Sequence, residues 1–126
     1  MQSGKYPTPP VALVVEDDPI LRMNAVDIMQ EAGFAAVEAA NADDAMIILE
    51  CRKDIRVLFT DISMPGSIDG LQLAQTVRNR WPPIIVVITS GFYAANEEVL
   101  PQGSLFFKKP YLAEEVLETF RGLAAL

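Results

Sequence analysis

The chain has 126 residues, a formal net charge of −7 and an isoelectric point near 4.4. This length suits one domain with one hydrophobic core, so we expect no separate output domain of ordinary size. The acidic balance argues against direct nucleic-acid binding, because phosphate contacts need clustered Lys and Arg and the basic residues here are scattered. The sequence contains no histidine, which excludes Ser-His and Cys-His catalytic pairs, imidazole zinc sites and a phosphohistidine within this chain.

The first ten residues hold three prolines, a glycine and no signal-peptide core. This composition predicts a flexible lead-in over residues 1–10 and a folded domain over residues 11–126. No apolar stretch is long enough to cross a bilayer, so we expect a cytoplasmic protein without membrane contact.

The first strand and helix are predicted from a buried apolar run and a helix-start signal. Residues 11–16 read as a buried strand, and Asp18-Pro19 supplies an N-cap followed by proline at the first helical position. The helix should run to Ala32, with Gly33 as its stop. Its inward positions recur at helical spacing: Leu21, Ala25, Ile28, Met29 and Ala32.

The middle of the chain continues this alternation of strand and helix. Strands are predicted at 34–38, 57–60 and 84–88, the last being the most apolar run of the chain and typical of a central strand. Asn41 should cap the second helix, and the third helix should begin at Asp69 or Gly70 and end before Pro82-Pro83.

The last third of the chain is less regular. Residues 94–100 hold only a short helical pattern, interrupted by Pro101 and Gly103, which predicts a short or irregular fourth helix. A fifth strand is predicted at 104–108 and a last helix at 112–124, with Ala113 among its inward positions.

This order of elements predicts the fold class. Strict alternation of strand and helix implies parallel strands with right-handed crossovers, and five units favour a flavodoxin-like (βα)5 doubly wound α/β sheet over a closed barrel. The expected strand order is 2-1-3-4-5, with a switch point between the first and third strands.

Acidic residues follow the two strands at that switch point. Glu16, Asp17 and Asp18 close the first strand, and Asp61 closes the third. The carboxyl ends of parallel strands meet at one edge of the sheet, the usual place for a binding site. Crowded carboxylates repel one another, so the pattern predicts a site for a divalent cation.

Four motifs on successive strand ends resemble the receiver domain of two-component response regulators. They are Val-Val-Glu16-Asp17-Asp18, Asp61-x-x-Met64-Pro65, Ser90-Gly91 and Lys109-Pro110, and the resemblance covers residues 11–125. Each motif alone is weak, but four in order on the right strand ends are a strong signal.

The resemblance implies that Asp61 is the phosphoacceptor, which takes a phosphoryl group from a sensor histidine kinase or a histidine phosphotransfer protein. It implies Mg²⁺ held by Asp17 and Asp61, by Glu16 through a water, and by the main-chain carbonyl of Ser63. Lys109 would pair with Asp61 and then with a phosphoryl oxygen, and its bond to Pro110 would be cis. Output would be protein binding to an unknown downstream target, with a possible homodimer after phosphorylation.

The switch residues stay open at this point. Both Thr89 and Ser90 offer a hydroxyl, and Gly91 favours Ser90, since the family follows its Ser or Thr with a small residue. Phe106 matches the family's aromatic switch position, but a phenylalanine in a strand is also an ordinary core residue.

Two segments depart from the family pattern. The loop 66–70 is one residue longer than the common spacing, and the segment 91–104 is shorter than the usual fourth crossover. Both departures predict an altered partner surface.

Two other classes of protein compete with this interpretation. A Mg²⁺-dependent phosphohydrolase with an aspartyl phosphate would need Asp-x-Asp after the first strand, where this chain has Glu16-Asp17-Asp18. A flavodoxin would need a hydroxyl- and glycine-rich phosphate loop there, and an acid cluster would repel the cofactor.

Overall fold

The computed structural model describes residues 8–62, 70–91 and 100–126. Within these ranges the chain forms five strands and four helices in alternating order up to β4. The elements are β1 (Val11–Val15), α1 (Pro19–Glu31), β2 (Ala35–Ala39), α2 (Ala42–Cys51), β3 (Ile55–Asp61), α3 (Gly70–Arg80), β4 (Ile85–Ser90), β5 (Leu105–Lys108) and α4 (Ala113–Ala124).

The strands form one parallel sheet in the order β2-β1-β3-β4-β5. This is the predicted order, and its switch point lies between β1 and β3. Every residue of β1 is buried, because β1 has a strand on each side and a helical layer on each face. The carboxyl ends of β1 and β3 therefore lie side by side at one edge of the sheet, here called the carboxyl edge.

Alternate residues of the strands enter two separate cores. One core lies between the sheet and helices α1 and α4, and the other lies between the sheet and helices α2 and α3. The α1/α4 core contains Val14, Phe59, Val87, Met29 and Phe120, and the α2/α3 core contains Leu13, Leu58, Ile88, Leu49 and Val77. This two-residue alternation decides which side of the sheet each residue near the carboxyl edge faces.

The predicted helix signals are observed. The Asp18 carboxylate accepts hydrogen bonds from the backbone N–H groups of Ile20 and Leu21, with Pro19 at the first helical position. The Asn41 side chain accepts from the Asp44 N–H at the start of α2. Gly33 follows α1 with φ +105°, a backbone conformation that glycine adopts without steric cost.

Some predicted details were wrong. β3 and β4 extend further than expected, and several other elements shift by one residue. Leu21 is 40% exposed and Ala113 is exposed, although both were predicted to face the core. Both residues line an open groove of about 670 Å³ beside Lys109, because they lie in the first turns of α1 and α4, next to the carboxyl edge.

Other predictions fall on residues outside those described. They are the lead-in over residues 1–7, the carbonyl of Ser63, the loop at 66–69 and the fourth-helix pattern over residues 94–99. Among the described residues, no helix is long and apolar enough to cross a membrane.

Candidate functional site

Glu16 and Asp61 lie level with each other at the carboxyl edge. Val15 pairs with Thr60 in the parallel register of β1 and β3, so the next residue of each chain segment comes to the same height. Both residues are 6% exposed, although they carry carboxyl groups. Buried carboxylates need a compensating partner, because removing a charge from water is costly.

Lys109 provides that partner for both residues. Its Nζ donates hydrogen bonds of 2.8 Å to Asp61 Oδ2 and of 2.8 Å to Glu16 Oε1. The Lys109 backbone N–H donates to the Ser90 carbonyl at 2.8 Å, which holds the start of the β5–α4 loop against β4. The Lys109–Pro110 peptide bond is cis, as the resemblance implied.

The contact of Lys109 with Asp61 was predicted from the sequence, but its contact with Glu16 was missed. A signal for the second contact was present, since Glu16 and Lys109 both follow strands that end at the same edge of the sheet. The lysine is therefore shared between two carboxylates, and its side chain is 19% exposed.

Burial and the shared lysine shift the pKa values of Glu16 and Lys109. Desolvation raises the pKa of the Glu16 carboxyl, and the hydrogen bond from Lys109 only partly opposes this. Burial lowers the pKa of Lys109, but the hydrogen bonds to Asp61 and Glu16 outweigh it, so the pKa of Lys109 is raised overall. Lys109 is accordingly a stable ammonium at neutral pH.

Asp17 completes an acidic cluster with the right chemistry for a hard cation. Glu16, Asp17 and Asp61 each offer a carboxylate oxygen, and these oxygens lie within 4.8 Å of one another. Asp17 is exposed, whereas the other two are buried, so a cation could enter from the solvent side. An all-oxygen set of this kind suits Mg²⁺, which keeps several waters alongside a few carboxylates.

The register separates the two candidate switch hydroxyls. Thr89 pairs with Asp61, so both side chains leave the sheet on the α1/α4 side, and both line a small cavity together with Glu16. Ser90 is the next residue and alternates to the α2/α3 side, where Phe106 packs against the core. Both hydroxyl residues are buried, with 3% of Thr89 and none of Ser90 exposed.

Tyr111 is a second feature of the site that was not predicted from the sequence. Its ring packs against Phe59 at 6.2 Å and against Phe107 at 6.4 Å between centroids, and it lines the small cavity beside Asp61. Desolvation raises the pKa of the Tyr111 hydroxyl. The ring adds apolar surface to the small cavity beside Asp61 and also lines the open groove beside Lys109.

Comparisons with known proteins agree with this geometry. Residues 12–121 match the family model described as the response regulator receiver domain. The nitrogen assimilation regulatory protein NtrX of Azorhizobium caulinodans is 30% identical over 120 residues, which cover 86% of this chain and 26% of that protein. The chain thus spans about a quarter of the length of this curated relative.

Solved structures give the same fold. A response regulator receiver protein from Sinorhizobium medicae superposes with a TM-score of 0.83 at 23% identity, over 91% of this chain and 94% of that one. The response regulator TrrA from Thermotoga maritima, in complex with Mg²⁺-BeF, gives a TM-score of 0.79 at 23% identity, over 90% of this chain and 97% of that one.

The chain belongs to the response regulator receiver domain family. It is a receiver domain of the two-component signalling systems, a class of phosphorylated signalling modules that is generally not enzymatic and that interacts with sensor histidine kinases. The phosphohydrolase alternative is not favoured by these relationships.

Proposed function

We propose that Asp61 is the phosphoacceptor of this receiver domain, and that it is phosphorylated by a protein phosphohistidine. The observation that carries the proposal is the bond from Lys109 Nζ to Asp61 Oδ2 at the buried carboxyl edge. A cation at this position can transfer from the carboxylate to a phosphoryl oxygen, and the compact ammonium of lysine suits that exchange.

The reaction is a transfer of a phosphoryl group between two side chains. An oxygen of Asp61 attacks the phosphorus, an O–P bond forms, and the N–P bond of the donor phosphohistidine breaks. The imidazole leaves with the electron pair of that bond, and the product is an acyl phosphate on Asp61. Lys109 then lies near new negative charge on the phosphoryl oxygens.

Asp17 and Asp61 would hold Mg²⁺ directly, and Glu16 would hold it through a water. Bound Mg²⁺ would neutralise charge on the phosphoryl oxygens during transfer. The carboxylate distances support this assignment, as does the similar fold of TrrA, which was solved in complex with Mg²⁺-BeF. The carbonyl of Ser63 is proposed as a further ligand from the family resemblance.

The direct test uses a small acyl phosphate with Mg²⁺ and intact-mass measurement. We expect the wild-type protein to gain one phosphoryl group and Asp61→Asn to gain none. Asp54→Asn is the matched control, because Asp54 is an exposed aspartate at the opposite edge of the sheet. Phosphorylation of Asp61→Asn at the wild-type rate would overturn the assignment.

Ser90 is proposed as the hydroxyl that reports phosphorylation, with Phe106 as the aromatic residue that moves with it. Their placement on the same side of the sheet supports this pairing, whereas Thr89 shares a side with Asp61. We expect Ser90→Ala to accept phosphate but to lose the phosphorylation-dependent NMR shifts at Phe106. Thr89→Val should keep those shifts, and the reverse pattern would assign the role to Thr89.

The partners are proposed by class only. The donor would be a sensor histidine kinase or a histidine phosphotransfer protein, and the output would be binding to a downstream protein or a homodimer formed on phosphorylation. Phosphotransfer from purified candidate kinases would identify the donor. Sedimentation of the protein with and without acyl phosphate would show whether a dimer forms.

A further inference from the structure

Arg22 connects the acidic loop after β1 to the edge strand β2. Its Nη1 donates to the main-chain carbonyl of Glu16 at 2.8 Å, and its Nε donates to Glu38 Oε1 at 3.2 Å. Arg22 lies in the first turn of α1, where acidic residues are favoured and a cation opposes the helix dipole. The bonds of Arg22 to the loop and to β2 therefore point to a role other than helix stability.

The carbonyl that Arg22 holds belongs to the peptide unit that joins Glu16 to Asp17. The surrounding units are also held, since the Glu16 N–H donates to the Ala39 carbonyl at 3.1 Å and the Asp18 N–H donates to Glu16 Oε2 at 3.2 Å. The rotation of the Glu16–Asp17 peptide is coupled to φ of Asp17, which is one of the torsions that set the direction of the Asp17 side chain. The bond from Arg22 therefore bears directly on whether the Asp17 carboxylate faces Asp61.

We propose that Arg22 is a positioning residue for Mg²⁺ binding, and that it acts by fixing the Glu16–Asp17 peptide so that the Asp17 carboxylate stays within reach of the cation. The proposal rests on the proposed function in one respect, the assignment of Asp17 as a ligand. Glu38 accepts the hydrogen bond from Nε, so the guanidinium joins the loop after β1 to β2.

The charge of Arg22 and its proposed positioning role predict opposite changes in Mg²⁺ affinity when Arg22 is removed. The guanidinium bonds the main-chain carbonyl of Glu16, beside the acidic cluster, and its charge repels an incoming cation. Its removal should therefore strengthen Mg²⁺ binding if charge alone matters. Removal should weaken binding if the residue positions Asp17. The direction of the change in affinity therefore separates the two effects.

The experiment measures Mg²⁺ affinity of the metal-free full chain by calorimetry, with thermal melts to establish that each variant is folded. The variants are Arg22→Ala, Arg22→Lys, which keeps the charge but cannot bridge two acceptors in the same fork geometry, and Arg52→Ala as a control. Arg52 also bonds a carboxylate, that of Asp54, but at the opposite edge of the sheet.

We expect both Arg22 variants to bind Mg²⁺ about tenfold more weakly, the lower end of the range for residues that orient metal ligands. Arg52→Ala should bind as the wild type does. Unchanged or tighter binding by Arg22→Ala would overturn the proposal. Wild-type affinity in Arg22→Lys would also overturn it, because the fork that bonds the Glu16 carbonyl and Glu38 would then not be needed.

Asp17→Ala separates a failure of this inference from a failure of the proposed function. If Asp17→Ala binds Mg²⁺ as tightly as the wild type, Asp17 is not a ligand, and both the metal assignment and the role of Arg22 are wrong. If Asp17→Ala loses affinity while Arg22→Ala keeps it, the metal assignment stands and only the positioning role is wrong.

Discussion

The two edges of the sheet hold ion pairs of nearly equal length in very different surroundings. At the carboxyl edge, Lys109 bonds Asp61 and Glu16 at 2.8 Å, and the two carboxylate side chains are 7% and 8% exposed. At the opposite edge, Arg52 bonds Asp54 at 2.7 Å, but their side chains are 42% and 55% exposed. The two sites therefore differ in solvent exposure and not in distance. Water screens the exposed pair and can hydrogen-bond to either partner in place of the other.

A glycine near each edge is required for a different reason. A Cβ on Gly70, at the start of α3, would overlap the Asp61 carbonyl oxygen. A Cβ on Gly33, at the opposite edge, would meet only Ala124 Cβ at 3.7 Å, and that position requires glycine for its φ of +105° instead. At the carboxyl edge, glycine lets the start of α3 lie close against the backbone of Asp61. At the opposite edge, glycine supplies the backbone conformation of a turn.

The largest effect should follow Gly70→Ala. The added methyl group collides with backbone atoms of Asp61 and Ile62, which cannot rotate away, so α3 must shift. We expect a loss of about 3 kcal/mol in the free energy of unfolding, at the upper end of the usual cost of overpacking. Gly33→Ala should cost about 1–2 kcal/mol through backbone strain alone.

Urea denaturation measures both glycine variants. Gly70→Ala should also slow phosphorylation by a small acyl phosphate, since the collision is with the backbone of Asp61 itself, and Gly33→Ala should not. Equal stability losses in the two variants, with phosphorylation unaffected, would contradict the claim that Gly70 is needed for α3 to lie close to the backbone of Asp61.

The next effect concerns Lys109→Met, which keeps much of the side-chain stem and removes the charge. Two buried carboxylates then face each other without a cation, so we expect a loss of about 2 kcal/mol in metal-free protein. This is below the cost for a fully buried pair because part of the Lys109 side chain reaches solvent. Lys108→Met is the matched control, because Lys108 is an exposed neighbour and its change should not alter stability measurably.

Added Mg²⁺ should reverse much of that loss. The ammonium and the cation compete for the same carboxylates, so Lys109→Met should bind Mg²⁺ more tightly than the wild type. A tenfold gain in affinity would add about 1.4 kcal/mol to the stabilisation by Mg²⁺ at the same concentration. Thermal melts with and without MgCl₂, at constant ionic strength, measure this, and an equal Mg²⁺ response in wild type and Lys109→Met would show that the two cations do not compete.

Much of the fold could be predicted because its signals are local or periodic. Asp18-Pro19, Asn41 and Gly33 each act within a few residues of the chain, and the apolar strands carry their own pattern. Alternation of strand and helix then constrained the strand order. Leu21 was misplaced because helical spacing cannot show where a helix extends past the core it packs on.

The candidate site could be predicted only in part. Strand ends that meet at one edge indicated Glu16, Asp17 and Asp61, and the family resemblance added Lys109. The structure brings these four residues together. The contact of Arg22 with a main-chain carbonyl depends on the path of the backbone, which no residue pattern encodes. The choice between Thr89 and Ser90 depends on register, since a shift of one residue moves a side chain to the other side of the sheet.

The smallest effect gives the clearest contrast in sign between the two edges. Asp17→Ala should raise the stability of metal-free protein by about 0.5 kcal/mol, because it removes an exposed charge that repels Glu16 and Asp61. Asp54→Ala should lower stability slightly, because Asp54 has an arginine partner and no crowding carboxylates around it in the described contacts. Thermal melts in EDTA measure both variants, and destabilisation by Asp17→Ala would show that repulsion among the carboxylates does not set the energy of the carboxyl edge.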